Sequence, residues 1–150
     1  MAPGEGHAMG RALLEEMVMD YTGAPMPPIA VTDRGKPYFP ESGLHFSISH
    51  SKKHVFCALS EVPIGIDAEE ADREISLSLA EKILSPPEYA QWQRSRDKRK
   101  ALLTFWVLKE AQAKCTGEGL RGYPNHTNFS LDDPRVTQIR GCLVAAIEGE

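Results

Sequence analysis

Between residues 8 and 21 the apolar side chains Leu13, Leu14, Met17 and Val18 return at helical spacing, which predicts a helix. The Gly- and Pro-rich stretch 23–28 ends it. Residues 29–31 read as a short strand, and the Asp33-Arg34-Gly35-Lys36-Pro37 segment as a turn. Three strands are predicted next, over 44–48, 55–60 and 64–68, joined tightly enough to form a small antiparallel meander. The period then changes. Residues 75–84, 86–94 and 98–115 read as helices, the second with proline in its first turn and the third stopped by Gly117. Strands are predicted to return over 129–131 and 139–147, with a turn at Asp132-Asp133-Pro134. No sequence repeat, low-complexity tract or linker interrupts the chain. The class is α+β: helices packed on small antiparallel sheets in one domain.

Two of these elements carry acids in a suggestive order. On a strand, Ile64, Ile66 and Ala68 face one way, while Gly65, Asp67 and Glu69 face the other. On the long helix, Trp106, Glu110 and Lys114 stand four apart and share a face. Each segment alone is equally readable as solvated charge: a half-exposed strand, and an i,i+4 ion pair worth a few tenths of a kcal/mol. Together, three carboxylates and nearby lysines on two rigid elements suit a hard divalent cation and a phosphorylated ligand. A third segment, Phe46-Ser47-Ile48-Ser49-His50-Ser51, ends a strand in hydroxyls and an imidazole, a good anion cradle. Neighbouring side chains on a strand point opposite ways, which argues against a Ser49–His50 nucleophile pair. His50 and His54 do not make a zinc motif, since the segment is extended and no cysteine or carboxylate nearby in sequence completes the set.

Composition narrows the classes. A net charge of −4 over 150 residues gives no global basic field for nucleic acid. The basic run over residues 94–100 reads as a solvated connection between helices, or as local steering of an acidic partner. Cys57, Cys115 and Cys142 form no CxxC pair and read as buried, reduced thiols. No apolar run is long enough to span a bilayer, and the first residues lack the pattern of a signal peptide. A cytoplasmic monomer that contacts neither membrane nor nucleic acid is expected.

These segments, in this order, resemble the 4′-phosphopantetheinyl transferase superfamily. The matching pieces are Gly35-Lys36-Pro37, the Phe46–Ser51 stretch, Ile64-Gly65-Ile66-Asp67-Ala68-Glu69, Leu84-Ser85-Pro86-Pro87-Glu88, and Phe105-Trp106-Val107-Leu108-Lys109-Glu110-Ala111 with Lys114, Gly117 and Gly119. The arrangement is similar to the surfactin-synthetase-activating branch, with a shortened first half: two pseudo-repeated halves, 1–62 and 63–150. The resemblance implies transfer of the phosphopantetheine arm of coenzyme A to a serine of an acyl or peptidyl carrier protein, releasing adenosine 3′,5′-bisphosphate. It implies Mg²⁺, with Mn²⁺ as a substitute, on Asp67, Glu69 and Glu110. It assigns catalytic roles to Glu110, Lys109, Lys114 and Glu88, leaving the base open between Glu110 and Glu88. It places coenzyme A against Arg11, Lys36, Ser49, His50, Lys109, Lys114, Gly117 and Gly119. The rival expectation is a module that binds coenzyme A or a carrier protein without turnover. The segment ahead of Arg11 is short, and the stretch between Ser130 and Gly141 is compressed relative to that pattern.

Overall fold

The computed structural model describes residues 4–118 and 127–149. Helix α1 (Glu5–Thr22) buries Gly6, Gly10, Leu14 and Val18, one residue every four. Gly10 lets the helix approach closely: a Cβ there would stand 2.6 Å from the Ile48 side chain. Gly23 closes α1 in the left-handed conformation, its N–H bonded to the Met19 carbonyl. A two-residue ribbon follows, β1 (Ala30–Val31) antiparallel to β2 (Pro37–Tyr38), closed by the 32–36 turn.

Strands β3 (His45–His50) and β4 (Val55–Ser60) form an antiparallel hairpin, as the alternation predicts. The meander stops there. Strand β5 (Ile64–Glu70) pairs along its whole length with the late strand β7 (Cys142–Glu148), not with β4. The edge of β5 next to β3 is satisfied by side chains. The Ser47 and Ser49 hydroxyls accept the Ile66 and Ala68 N–H groups, each at 3.0 Å. Phe46 packs the other way, with Leu14, Val18 and Phe39. Alternation in β3 therefore joins two sheets through serines while apolar residues fill the core under α1.

The helical region departs from the sequence expectation in one place. Residues 75–84 are not a single helix. A 3₁₀ turn (Leu77–Leu79) leads into the short α2 (Ala80–Ile83). Ser76 and Ser78 bond each other, and Leu84 is pushed to extended backbone two residues before Pro86. Serines that satisfy themselves locally are poor helix formers. Helices α3 (Pro86–Arg94) and α4 (Lys98–Thr116) follow; the Asp97 carboxylate accepts the Lys100 N–H at the start of α4, and Gly117 ends it with φ 77°.

Residues 129–131 do not form a strand, because their donors go to side chains. Phe129 N–H bonds the Glu88 carboxylate and Leu131 N–H the Gln91 amide oxygen. The strand expected over 139–147 is instead a hairpin. β6 (Val136–Ile139) turns into β7 through Arg140 and Gly141, both with positive φ, the requirement of a type I′ two-residue loop. The order in this sheet is β5-β7-β6.

Both faces of that sheet are covered. Ile66, Ala68, Cys142 and Val144 meet Phe56 and Ala58 on one side. On the other, Leu143, Ala145 and Ile147 pack under Phe105, Leu108 and Ala111 of α4, within the main core. Asp67 and Glu69 lie on this second face, which sequence alone read as half-exposed. No helix among the described residues is long and apolar enough to cross a membrane.

Candidate active site

Gly65 determines where α4 sits. A Cβ there would fall 1.9 Å from the Ala111 carbonyl oxygen and 2.4 Å from the Cys115 nitrogen, so only glycine lets the helix rest on β5. At this distance the Glu110–Lys114 edge of α4 reaches Asp67. Lys114 Nζ donates to Asp67 Oδ1 at 3.2 Å, to the Ile66 carbonyl at 3.0 Å and to the Ile48 carbonyl at 3.5 Å. Ser49 Oγ donates to the same Asp67 oxygen at 3.4 Å. The other oxygen, Oδ2, is buried and has no hydrogen-bond partner.

An unpartnered buried carboxylate oxygen is costly. Burial, and then the nearby Glu69 and Glu110 carboxylates, push the Asp67 carboxyl up to about 7, against the opposing pull of Lys114. Burial also raises Glu110, assisted by Glu69 and opposed by Lys114 and Arg73. Glu69 is held at 2.8 Å by Arg73. Three carboxylates thus share one field with two side-chain cations. The spare Asp67 oxygen and an all-oxygen donor set fit a hard divalent ion. Among the described residues, the three-member group of donor atoms lying within 4.8 Å of one another is His54, Glu70 and Cys142; the trio is set wider.

Beside the trio opens a cleft of about 630 Å³. His7 and Arg11 from α1, Arg34 and Lys36 from the turn, His50 from the end of β3, and Glu110 and Lys114 from α4 line it, with Gly117. Four segments of the chain converge to surround one space with basic groups, an arrangement that attracts anions. Lys36 donates to the Cys115 carbonyl at 2.8 Å, a cation on the last turn of α4, and burial lowers its pKa despite the opposing effect of Cys115. Arg34 reaches the Glu118 carbonyl at 3.5 Å.

Of the residues singled out from sequence, Arg11, Lys36, His50, Glu110, Lys114 and Gly117 line this cleft. Ser49 does not: its hydroxyl is occupied between Ala68 and Asp67 in the joint of the two sheets. Lys109 and Glu88 are also elsewhere. They form a 2.8 Å ion pair at 1% and 0% side-chain exposure. Glu88 further accepts the Ser85 and Phe129 N–H groups, and Lys109 lies 5.6 Å from the centre of the Phe129 ring. The physical reason is helical phase: Lys109 and Glu110 are consecutive and leave α4 about 100° apart. Gly119 lies outside the described residues. Sequence reasoning missed His7 and Arg34. His7 stands four residues before Arg11, a helical pairing that was legible once the helix began at Glu5.

The family model described as the 4′-phosphopantetheinyl transferase superfamily matches residues 63–146, the segment that carries Asp67, Glu69, Glu110 and Lys114. A 4′-phosphopantetheinyl transferase of Bacillus pumilus is 32% identical over 135 residues, covering 86% of this chain and 58% of the relative. One from Aneurinibacillus migulanus is 34% identical over 108 residues, covering 70% and 44%. One from Bacillus subtilis strain 168 is 40% identical over 90 residues, covering 57% and 39%. The chain spans about half the length of the curated relatives it matches. With the acidic trio and Lys114 falling inside the matched segment, which spans more than half of the chain, the chain belongs to the 4′-phosphopantetheinyl transferase superfamily.

Proposed function

We propose that this chain transfers the 4′-phosphopantetheine arm of coenzyme A to a serine hydroxyl of an acyl or peptidyl carrier protein. The observation that carries the proposal is the convergence of Arg11, Arg34, Lys36 and Lys114 on one cleft beside a carboxylate trio with a spare buried oxygen. In the transfer, the serine oxygen bonds to the β-phosphorus of coenzyme A, the pyrophosphate P–O bond breaks, and adenosine 3′,5′-bisphosphate leaves. The serine proton passes to a carboxylate, a role that the position of Glu110 on the cleft lining supports. Lys114 presents its ammonium to the same space, where charge develops on the departing phosphate. Arg11, Lys36 and His50 hold the nucleotide phosphates. Mg²⁺, or Mn²⁺ in its place, would be held by Asp67, Glu69 and Glu110 and would neutralise the diphosphate.

Lys109 and Glu88 take a different role from the one the resemblance implies: as a buried pair they position α4 against α3. Residues 1–62 and 63–150 act together in a single domain, since the cleft draws on both.

The test is mass spectrometry of an apo carrier protein incubated with this chain, coenzyme A and Mg²⁺. A gain of one phosphopantetheine on the carrier is expected. Coenzyme A binding with no change in carrier mass would sink the proposal in favour of a non-catalytic binder.

A further inference from the structure

We propose that His54, Glu70 and Cys142 form a second metal site, suited to a borderline transition-metal dication, Zn²⁺ by chemical preference. The three side chains come from distant positions. His54 closes the β3–β4 turn, Glu70 ends β5, and Cys142 opens β7. Glu70 and Cys142 are direct cross-strand partners. Cys142 Sγ lies 3.5 Å from His54 Nδ1 and 3.5 Å from Glu70 Oε2, and His54 Nδ1 lies 3.3 Å from Glu70 Oε1. A tetrahedral zinc, with bonds of about 2.3 Å to sulfur and about 2.0–2.2 Å to nitrogen and oxygen, sets ligand–ligand edges of roughly 3.4–3.6 Å. Glu70 meets His54 through Oε1 and Cys142 through Oε2, and one donor atom from each of the three residues lies within 4.8 Å of the other two, close to the face of that tetrahedron.

The surroundings hold these ligands in place. Glu70 Oε1 accepts Ser51 Oγ at 2.9 Å and the Lys53 N–H at 3.2 Å. The turn carrying His54 is closed by the Ser51 N–H to His54 carbonyl bond at 2.8 Å. Such outer contacts orient carboxylate and imidazole ligands. Cys142 is fully buried, whereas His54 keeps 28% of its side chain exposed and gives an ion its entry. One thiolate, one carboxylate and one neutral imidazole balance the charge of a dication. Binding forms metal–sulfur, metal–nitrogen and metal–oxygen bonds and releases the thiol proton to solvent, with no change of oxidation state.

This site is separate from the acidic trio. Glu69 and Glu70 are consecutive on a strand and leave opposite faces of the sheet, one toward α4 and one toward the Phe56 side. The donor sets also differ: oxygen alone on one face, and sulfur, nitrogen and oxygen on the other. A metal bound here would fasten the β3–β4 turn to the β5–β7 ladder.

Titration of the full chain with Co²⁺ in excess Mg²⁺ tests the proposal. One equivalent is expected to give a thiolate-to-cobalt charge-transfer band that Zn²⁺ abolishes. His54→Ala and Cys142→Ser are expected to lose the band and to weaken Zn²⁺ binding at least tenfold, while Glu110→Gln keeps both. Absence of the band in the parent chain would overturn the site. So would an undiminished band in His54→Ala, which would place cobalt on Cys57 or Cys115. Should Cys142→Ser fail to fold, the partly exposed His54 position decides by itself.

Discussion

Replacing Lys109 with methionine removes the cation from a 2.8 Å pair and leaves the Glu88 carboxylate at 0% exposure with two backbone N–H partners. Methionine fills much of the same volume, so the loss is electrostatic rather than a cavity. Breaking a buried pair by removing one partner costs about 3–5 kcal/mol, because the stranded charge keeps its full desolvation penalty. In a chain of this size each kcal/mol moves Tm by roughly 2–4 °C, so a fall of roughly 6–20 °C is expected. Urea unfolding monitored by circular dichroism measures the cost directly. Glu88→Gln strands the opposite charge and should also destabilise. The double variant strands neither, so the cycle should show a coupling of about 2 kcal/mol or more. A cost below about 1 kcal/mol for Lys109→Met, the range of surface pairs, would refute the reasoning. So would additivity of the two single changes. If Lys109→Met lost transfer activity at a temperature where it stays fully folded, Lys109 would belong to the chemistry and not to the scaffold.

Glu110→Gln should lower phosphopantetheine transfer at least roughly a hundredfold with little change in Tm, the size expected for loss of one transition-state contact; near-parental turnover by carrier mass assay would remove Glu110 from the site. Gly65→Ala should destabilise by about 3 kcal/mol or more in urea unfolding, because its Cβ would collide with the helix backbone at 1.9 Å, where no side chain can move aside. Asp67 is raised from 3.8 to about 7 by folding, so the folded chain holds its proton more tightly than the unfolded one. Without divalent cations, stability should therefore fall as pH rises from about 4 to about 7, by up to ~4 kcal/mol, and Asp67→Asn should flatten that slope; an identical slope in the variant would contradict the burial argument.

Much of the architecture was readable from local chemistry. The limits of α3 follow from prolines at its start, and the hairpin strands β3 and β4 from their alternation. Strand β5 and helix α4 were placed to within two residues, and with them the pairing of Asp67 and Glu69 on one face and of Glu110 and Lys114 on another. These are short-range properties, set by two- and 3.6-residue periods, by glycine and by proline. The residue order also held the family motifs, and from them the expected chemistry.

Partner choice was not local. Nothing in residues 55–68 shows that β5 leaves its neighbour β4 for a strand more than seventy positions later, or that serine hydroxyls close the gap to β3. The face of β5 carrying Asp67 and Glu69 looked half-exposed because its cover, α4, comes from far along the chain and depends on the bare backbone at Gly65. Sequence set Lys109 and Glu88 among the reacting groups; packing drew them together inside the core. It likewise found no cysteine or carboxylate for His54, whereas the β5–β7 register brings it both. Sequence determines which groups a strand or helix presents on each side, because that depends on backbone geometry alone. Which of those sides meet, and so which charges are buried, paired or left to a ligand, is decided only when distant segments compete for the same surface.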